Sequence, residues 1–374
     1  MKAALITYHQ VYNYGSSLQA YATKKTIEKN GCEVEIINYV PERFRNYGSF
    51  KQTYQEKAYF NKNPLKCLLI SLFCMPSRRK QKQVFSQFDT YLNLKEEVYQ
   101  EDLTGLNNFY DIFFTGSDQV WNNHFGGFDN AFFLSFVKDA NCYAYSASFG
   151  KDQFDKEERE FLKKSLSKYR RISVRENTGV DIVRSLGYKA IQLLDPVYAL
   201  SAQEWQAIAE PRAIEEDYIL VYQLNSKNAL LEKAVELQTA EKISKIVVIE
   251  YERRRRDSRA TYEALPSVNR FLSLLAHAKY VVTDSFHGTS FSLKFNREFF
   301  VALPPSFQGR IKSVLQLFDL ESRVINSSHM IEQIAREHID WEHVNCILSE
   351  QTERNCQFIR ECIADARENM EGNI

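Results

Sequence analysis

Short apolar runs that stop abruptly on polar clusters recur along the chain, and a helix-spaced segment follows most of them. Ala3-Ala4-Leu5-Ile6-Thr7-Tyr8 runs through His9 into Asn13-Tyr14-Gly15-Ser16-Ser17-Leu18-Gln19, after which Leu18, Tyr21 and Ala22 recur at helical spacing. Asp111-Ile112-Phe113-Phe114-Thr115 leads into Gly116-Ser117-Asp118-Gln119-Val120-Trp121-Asn122, and Ile172-Ser173-Val174 leads into Arg175-Glu176-Asn177. Tyr280-Val281-Val282-Thr283 stops on Asp284-Ser285-Phe286-His287-Gly288-Thr289-Ser290. Such runs predict buried parallel strands, because a strand covered on both faces reads as continuously apolar. Strand, polar loop and helix in repetition predict an α/β fold, whose ligands meet the carboxyl ends of the strands.

The pattern also divides the chain. Strands are predicted over 33–40, closed by Pro41, and 190–194, closed by Asp195-Pro196. Asp155 with Glu158 three residues on reads as a helix start, as does Ser201-Ala202-Gln203-Glu204-Trp205. A polar interval at 210–217 is the candidate linker, and a fresh series follows: strands over 218–222, 245–249, 280–283 and 299–303, helices over 226–242 and 268–278. The expectation is two Rossmann-like domains facing a cleft, residues 1–205 with a helical insertion at about 47–94 and residues 206–340. A polar helical tail, 341–374, is expected to pack back on the first domain, as in GT-B relatives.

A chain of 374 residues exceeds one ordinary core, which agrees with two domains. Its 48 basic and 48 acidic residues cancel, so no global field recruits nucleic acid. Cysteines 32, 67, 74, 142, 346, 356 and 362 form no CxxC pair and are odd in number, which argues against a disulfide framework or a zinc ribbon. No metal-ligand spacing is present, and a reducing, cytoplasmic location is expected, the N-terminus lacking a signal-peptide pattern. The longest apolar run, 65–75, is too short to span a bilayer and precedes Arg78-Arg79-Lys80-Gln81-Lys82. Two readings of 65–82 are open: a packed helix with a solvated basic flank, or peripheral contact with the inner face of a membrane carrying a lipid-linked glycan.

Taken in order, Asn13-x-Gly15-x-x-Leu18-Gln19, the segment 116–122, Ser173-Val174-Arg175-Glu176 with Leu186-Gly187, Asp195-Pro196 and Phe286-His287-Gly288 resemble the polysaccharide pyruvyl transferases. The resemblance implies phosphoenolpyruvate as co-substrate without a further cofactor. The acceptor it implies is a sugar of a cell-surface or exopolysaccharide precursor, free or lipid-linked. It also gives Arg175 the place of the family's donor-binding arginine; an ion pair with Glu176 or another acid is the alternative. In one respect the chain departs from the pattern: relatives carry an arginine two residues before the histidine, where Ser285 stands here.

Ketal formation needs a proton at C3 of the enol ether, attack by a sugar hydroxyl at C2 and loss of phosphate. His287, at a strand end, is the candidate acid, with a satisfied core histidine as the alternative. Asp118 and Asp284 are candidates to orient it or to accept the hydroxyl proton. Phe286, Gly288 and Thr289 open a helix whose first amides suit an anion, and Arg310 and Lys312 are candidates for the charge missing at Ser285. On the acceptor side, Trp121 and Gln119 have the character of a sugar-binding edge, although Trp121 as plain core is equally open. Asn13, Gly15, Ser16 and Ser117 belong to the loops beside it, with His9 a weaker addition. The run Arg253-Arg254-Arg255-Arg256 reads as a solvated loop or a diphosphate contact. Competing functions are a GT-B nucleotide-sugar glycosyltransferase and a non-catalytic glycan-binding protein on the same fold.

Overall fold

The computed structural model describes residues 1–60, 63–123, 127–138, 141–225, 229–251, 256–304, 308–325 and 331–371. Within it the chain forms two compact units, Met1–Pro196 with Cys356–Ile374, and Val197–Asn355. Of the four-arginine run, only Arg256 lies among the described residues.

The first unit runs β1 (Lys2–Ile6), α1 (Tyr14–Lys29), β2 (Glu33–Ile36), α2 (Phe50–Phe60), α3 (Pro64–Ser86), α4 (Asp89–Leu92), β3 (Ile112–Thr115), β4 (Cys142–Ala147), α5 (Lys156–Leu166), β5 (Tyr169–Val174), α6 (Asn177–Ser185) and β6 (Ile191–Gln192). Its sheet is parallel in the order β2-β1-β3-β4-β5-β6, so the order reverses between β1 and β3. Ligands of open α/β sheets bind at such a reversal. Trp121, Phe132 and Phe133 fill the core together with Ala4 and Ile6 of β1.

The second unit runs α7 (Ala202–Ile208), β7 (Tyr218–Tyr222), α8 (Leu230–Glu241), β8 (Lys245–Glu250), β9 (Thr261–Ala264), α9 (Val268–His277), β10 (Tyr280–Thr283), α10 (Phe286–Lys294), β11 (Glu298–Val301), α11 (Gly309–Leu317), α12 (Ile331–Ala335) and the start of α13 (Trp341–Glu371). Its parallel sheet is ordered β9-β8-β7-β10-β11, the Rossmann order, with the reversal between β7 and β10. Ile219, Val221, Val282 and Phe300 supply the centre of its core.

The change of unit falls at Pro196, ahead of Ser201, not after residue 205. Trp205 explains the difference: its indole N–H donates to the Val197 carbonyl at 3.0 Å and its ring stands edge-on to Phe291, both in the second unit. The interval 210–217 is not a free linker either. The Glu210 amide donates to the Asn269 carbonyl and the Ser273 hydroxyl to the Pro211 carbonyl, which lays this segment on α9. Helix α13 begins in the second unit, where the Thr352 hydroxyl donates to the Tyr198 carbonyl. It ends in the first, where Asp365 accepts from Tyr143 at 2.6 Å and from Arg170 at 2.5 and 2.9 Å.

Candidate active site

In the first unit the sheet reversal is bridged by side chains. Asn13 caps α1 by accepting from the Ser16 amide at 2.8 Å, which turns the Ser16 hydroxyl across the reversal to donate to Asp118 Oδ2 at 2.8 Å. Asp118 follows β3 with φ of 68°, left-handed backbone that an aspartate tolerates better than most residues, and its Oδ1 accepts from the Gln119 amide at 2.8 Å. Gly116, just before, has φ of 108°, and a Cβ there would run into the Tyr145 carbonyl.

Arg175 emerges from β5 into this cluster. Its guanidinium donates to Asp195 at 2.7 Å, to Glu176 at 3.4 Å and to Asp118 at 3.5 Å, and the residue is 4% exposed. Glu176 in turn accepts from the Ser148 hydroxyl at 2.8 Å. Burial opposes the arginine's charge, but the carboxylates of Glu176, Asp195 and Asp118 outweigh it and hold the pKa above its ordinary value. Three carboxylates around one cation make a local surplus of negative charge. The ion-pair alternative for Arg175 is thus present in the structure: its guanidinium ties the ends of β3 and β5 to the loop after β6.

Several acceptor-side candidates are likewise engaged inside the first unit. Trp121 is 0% exposed, stacks on Phe133 at 5.6 Å and donates to the Phe132 carbonyl, so it is core and not a sugar platform. Ser117 is buried and donates to the Ser146 carbonyl, and Gly15 is buried in the first turn of α1. His9 is buried with its ring nitrogens against the Thr7 carbonyl and Asn38 Oδ1, and burial lowers its pKa. Gln119, half-buried, accepts from Asn122 at 2.7 Å. Beside the loop after β1 lies a polar cavity of about 360 Å³, lined among others by Gln10, Tyr12, Arg45, Lys82, Glu97 and Tyr99. These residues were missed by sequence reasoning; the one signal was Gln10 and Tyr12 in the same strand-end loop as His9 and Asn13.

In the second unit Asp284 takes the bridging role. Its carboxylate accepts the Leu224 and Asn225 amides at 2.7 and 2.9 Å, fixing the loop after β7 to the end of β10. Ser285 is the N-cap of α10: it accepts from the Gly288 amide at 3.2 Å and is buried. Thr289 is buried and donates back to the Ser285 carbonyl. The side chains of Ser285 and Thr289 thus bond within the start of the helix. Gly288 is required because a Cβ would sit 2.5 Å from the Thr283 hydroxyl.

Phe286, His287 and Arg310 come together here. His287 is half-buried in the first turn of α10, its ring perpendicular to that of Phe286 at 5.1 Å. The Arg310 guanidinium, from the first turn of α11, lies 5.5 Å from the centroid of the Phe286 ring. Lys312 is exposed two residues further along α11.

Two parallel sheets with reversals bridged by aspartates define a two-unit, GT-B-like α/β protein. Solved structures of this architecture cover the whole chain. A protein described as a UDP-N-acetylglucosamine 2-epimerase of Listeria monocytogenes is 10% identical with a TM-score of 0.53, covering 100% of this chain and 97% of its own. A second UDP-N-acetylglucosamine 2-epimerase is 10% identical with a TM-score of 0.52, covering 95% of each chain. At that identity the likeness concerns fold alone, and no curated protein matches the sequence. The polysaccharide pyruvyl transferase profile matches residues 13–304, and the chain belongs to that family.

Proposed function

We propose that the protein transfers pyruvate from phosphoenolpyruvate to a sugar of a cell-surface or exopolysaccharide precursor, forming a cyclic ketal. The observation that carries this reading is the first turn of α10, where His287 and Arg310 flank the Phe286 ring at the end of β10 in a chain of this family. Arg310 and the first amides of α10 suit the phosphate or carboxylate of the donor. His287 delivers a proton to C3 while a sugar hydroxyl adds to C2. The C2–O bond to phosphate then breaks, phosphate leaves with the bonding pair, and a second hydroxyl of the same sugar closes the ketal. Phosphate is itself the leaving group, so the chemistry asks for no metal or organic cofactor. The polar cavity beside the β1 loop offers amide and carboxylate groups that read hydroxyls, which supports a sugar acceptor on the first unit.

The test is phosphate release from phosphoenolpyruvate that depends on an added glycan acceptor, with pyruvate recovered ketal-linked on the glycan. Consumption of a nucleotide sugar with no phosphate released from phosphoenolpyruvate would replace this reading with the glycosyltransferase. Binding of glycan without turnover of either donor would replace it with the glycan-binding protein.

A further inference from the structure

Helix α3 turns the wrong face outward. Toward the first unit it presents Cys67, Ser71, Gln81 and Phe85, all buried. Leu65, Leu68, Leu69, Leu72 and Phe73 recur at i, i+3, i+4, i+7 and i+8, so they share one face, and every one of them is exposed, Phe73 to 87%. A contiguous apolar stripe of this kind on a folded protein marks a surface that meets something apolar.

The charge on the same helix says what that is. Lys66, Arg78, Arg79, Lys80 and Lys82 give α3 five cations, and it holds no acidic residue, in a chain whose formal charges sum to zero. Arg78 is held by Glu56 and Gln52 of α2, and Arg79 donates to the Gly48 carbonyl at 3.3 Å but is exposed, as are Lys66, Lys80 and Lys82. Arg79 and Lys80 continue the outward face beyond Pro76, at i+14 and i+15 from Leu65. No helix among the described residues is long and apolar enough to cross a membrane, and the apolar half of α3, 65–76, is about 18 Å long at 1.5 Å per residue.

We propose that α3 lies in the interface of an anionic lipid bilayer, with Leu65, Leu68, Leu69, Leu72 and Phe73 among the acyl chains and Lys66, Arg79, Lys80 and Lys82 at the headgroups. An apolar stripe carrying basic flanks and no acid is complementary to such a surface and to few protein surfaces. The inference rests on the helix alone and does not depend on the reaction catalysed.

Sedimentation of the whole protein with vesicles tests it. The wild type is expected to partition onto phosphatidylcholine vesicles containing phosphatidylglycerol, less onto phosphatidylcholine alone, and progressively less as salt rises. Leu69→Ser with Phe73→Ser is expected to weaken binding by at least about tenfold with an unchanged melting temperature, since neither side chain is packed. In a Phe73→Trp variant, the indole emission should shift to the blue when anionic vesicles are added. The proposal is overturned if the wild type stays in the supernatant, if the double serine variant binds equally well, or if the indole emission does not move. Self-association of the wild type that the serine pair abolishes, without vesicle binding, would overturn it in favour of a second copy of the chain.

Discussion

His287 and Arg175 were both legible as polar residues at strand ends, yet their surroundings give them different work. His287 is half-buried with its ring beside Phe286, so His287→Ala is expected to lower turnover by about two to four orders of magnitude while leaving the melting temperature within a few degrees. Near-native turnover, or a protein that no longer folds, would make it a core histidine. Arg175→Met should do the reverse of what a donor ligand would do. It leaves Asp195, Glu176 and Asp118 facing one another in a buried cluster, and breaking such a buried pair costs about 3–5 kcal/mol. Chemical denaturation measures this; unchanged stability with lost phosphoenolpyruvate affinity would favour the donor-binding role. What the sequence could not reveal is which way a side chain points. Trp121 follows a strand end as a sugar platform would, but the turn at Asp118 sends it inward onto Phe133. Ser285 occupies an arginine's place in the pattern, and only the position of the Gly288 amide makes it a cap.

Elements announced by local chemistry were readable, and those defined by their neighbours were not. The reciprocal bonds of Asp155 with Glu158, and of Ser201 with Glu204, start α5 and α7 where the spacing predicts. Strand β4 escaped because Cys-Tyr-Ala-Tyr-Ser-Ala mixes small, aromatic and polar residues, although all six are buried between β3 and β5. Edge strand β9, Thr261–Ala264, carries no apolar run at all. The end of α13 is held by polar contacts on β4 and β5, chiefly through Asp365. The bond from Arg170 draws its pKa down despite partial burial, with Tyr143 and the charge of Arg170 adding to the effect. A carboxyl depressed in the folded state contributes stability above its unfolded pKa, about 4, and loses it as pH falls through the lower folded value. Asp365→Asn is therefore expected to be less stable than the wild type near neutral pH by about 1.5–3 kcal/mol, with the gap closing as pH falls below the unfolded pKa and through the lower folded one. Denaturant titrations of both proteins across that range check the sign. A gap that is constant with pH would mean that the charge on Asp365 contributes nothing to holding α13.

At the scale of the whole molecule, both units place an aspartate at the reversal of a parallel sheet: Asp118 after β3 accepts from Ser16 in the first turn of α1, and Asp284 after β10 accepts from the loop after β7. That symmetry of design was readable as two series of strand, loop and helix, whereas the point of division was hidden until Trp205 was seen to pack on Phe291. The second reversal leads directly into the turn that carries His287, and Arg310 stands beside it, so the donor reading concentrates on one helix start. Calorimetric titration of phosphoenolpyruvate into the wild type, Arg310→Ala and Ser285→Ala tests that reading most directly. Saturable binding at millimolar concentration or below is expected. Arg310→Ala should weaken it by at least about tenfold, the loss of one charge-assisted hydrogen bond, and Ser285→Ala by much less. Absence of phosphoenolpyruvate binding to the wild type, with a nucleoside-diphosphate sugar binding in its place, would contradict the account.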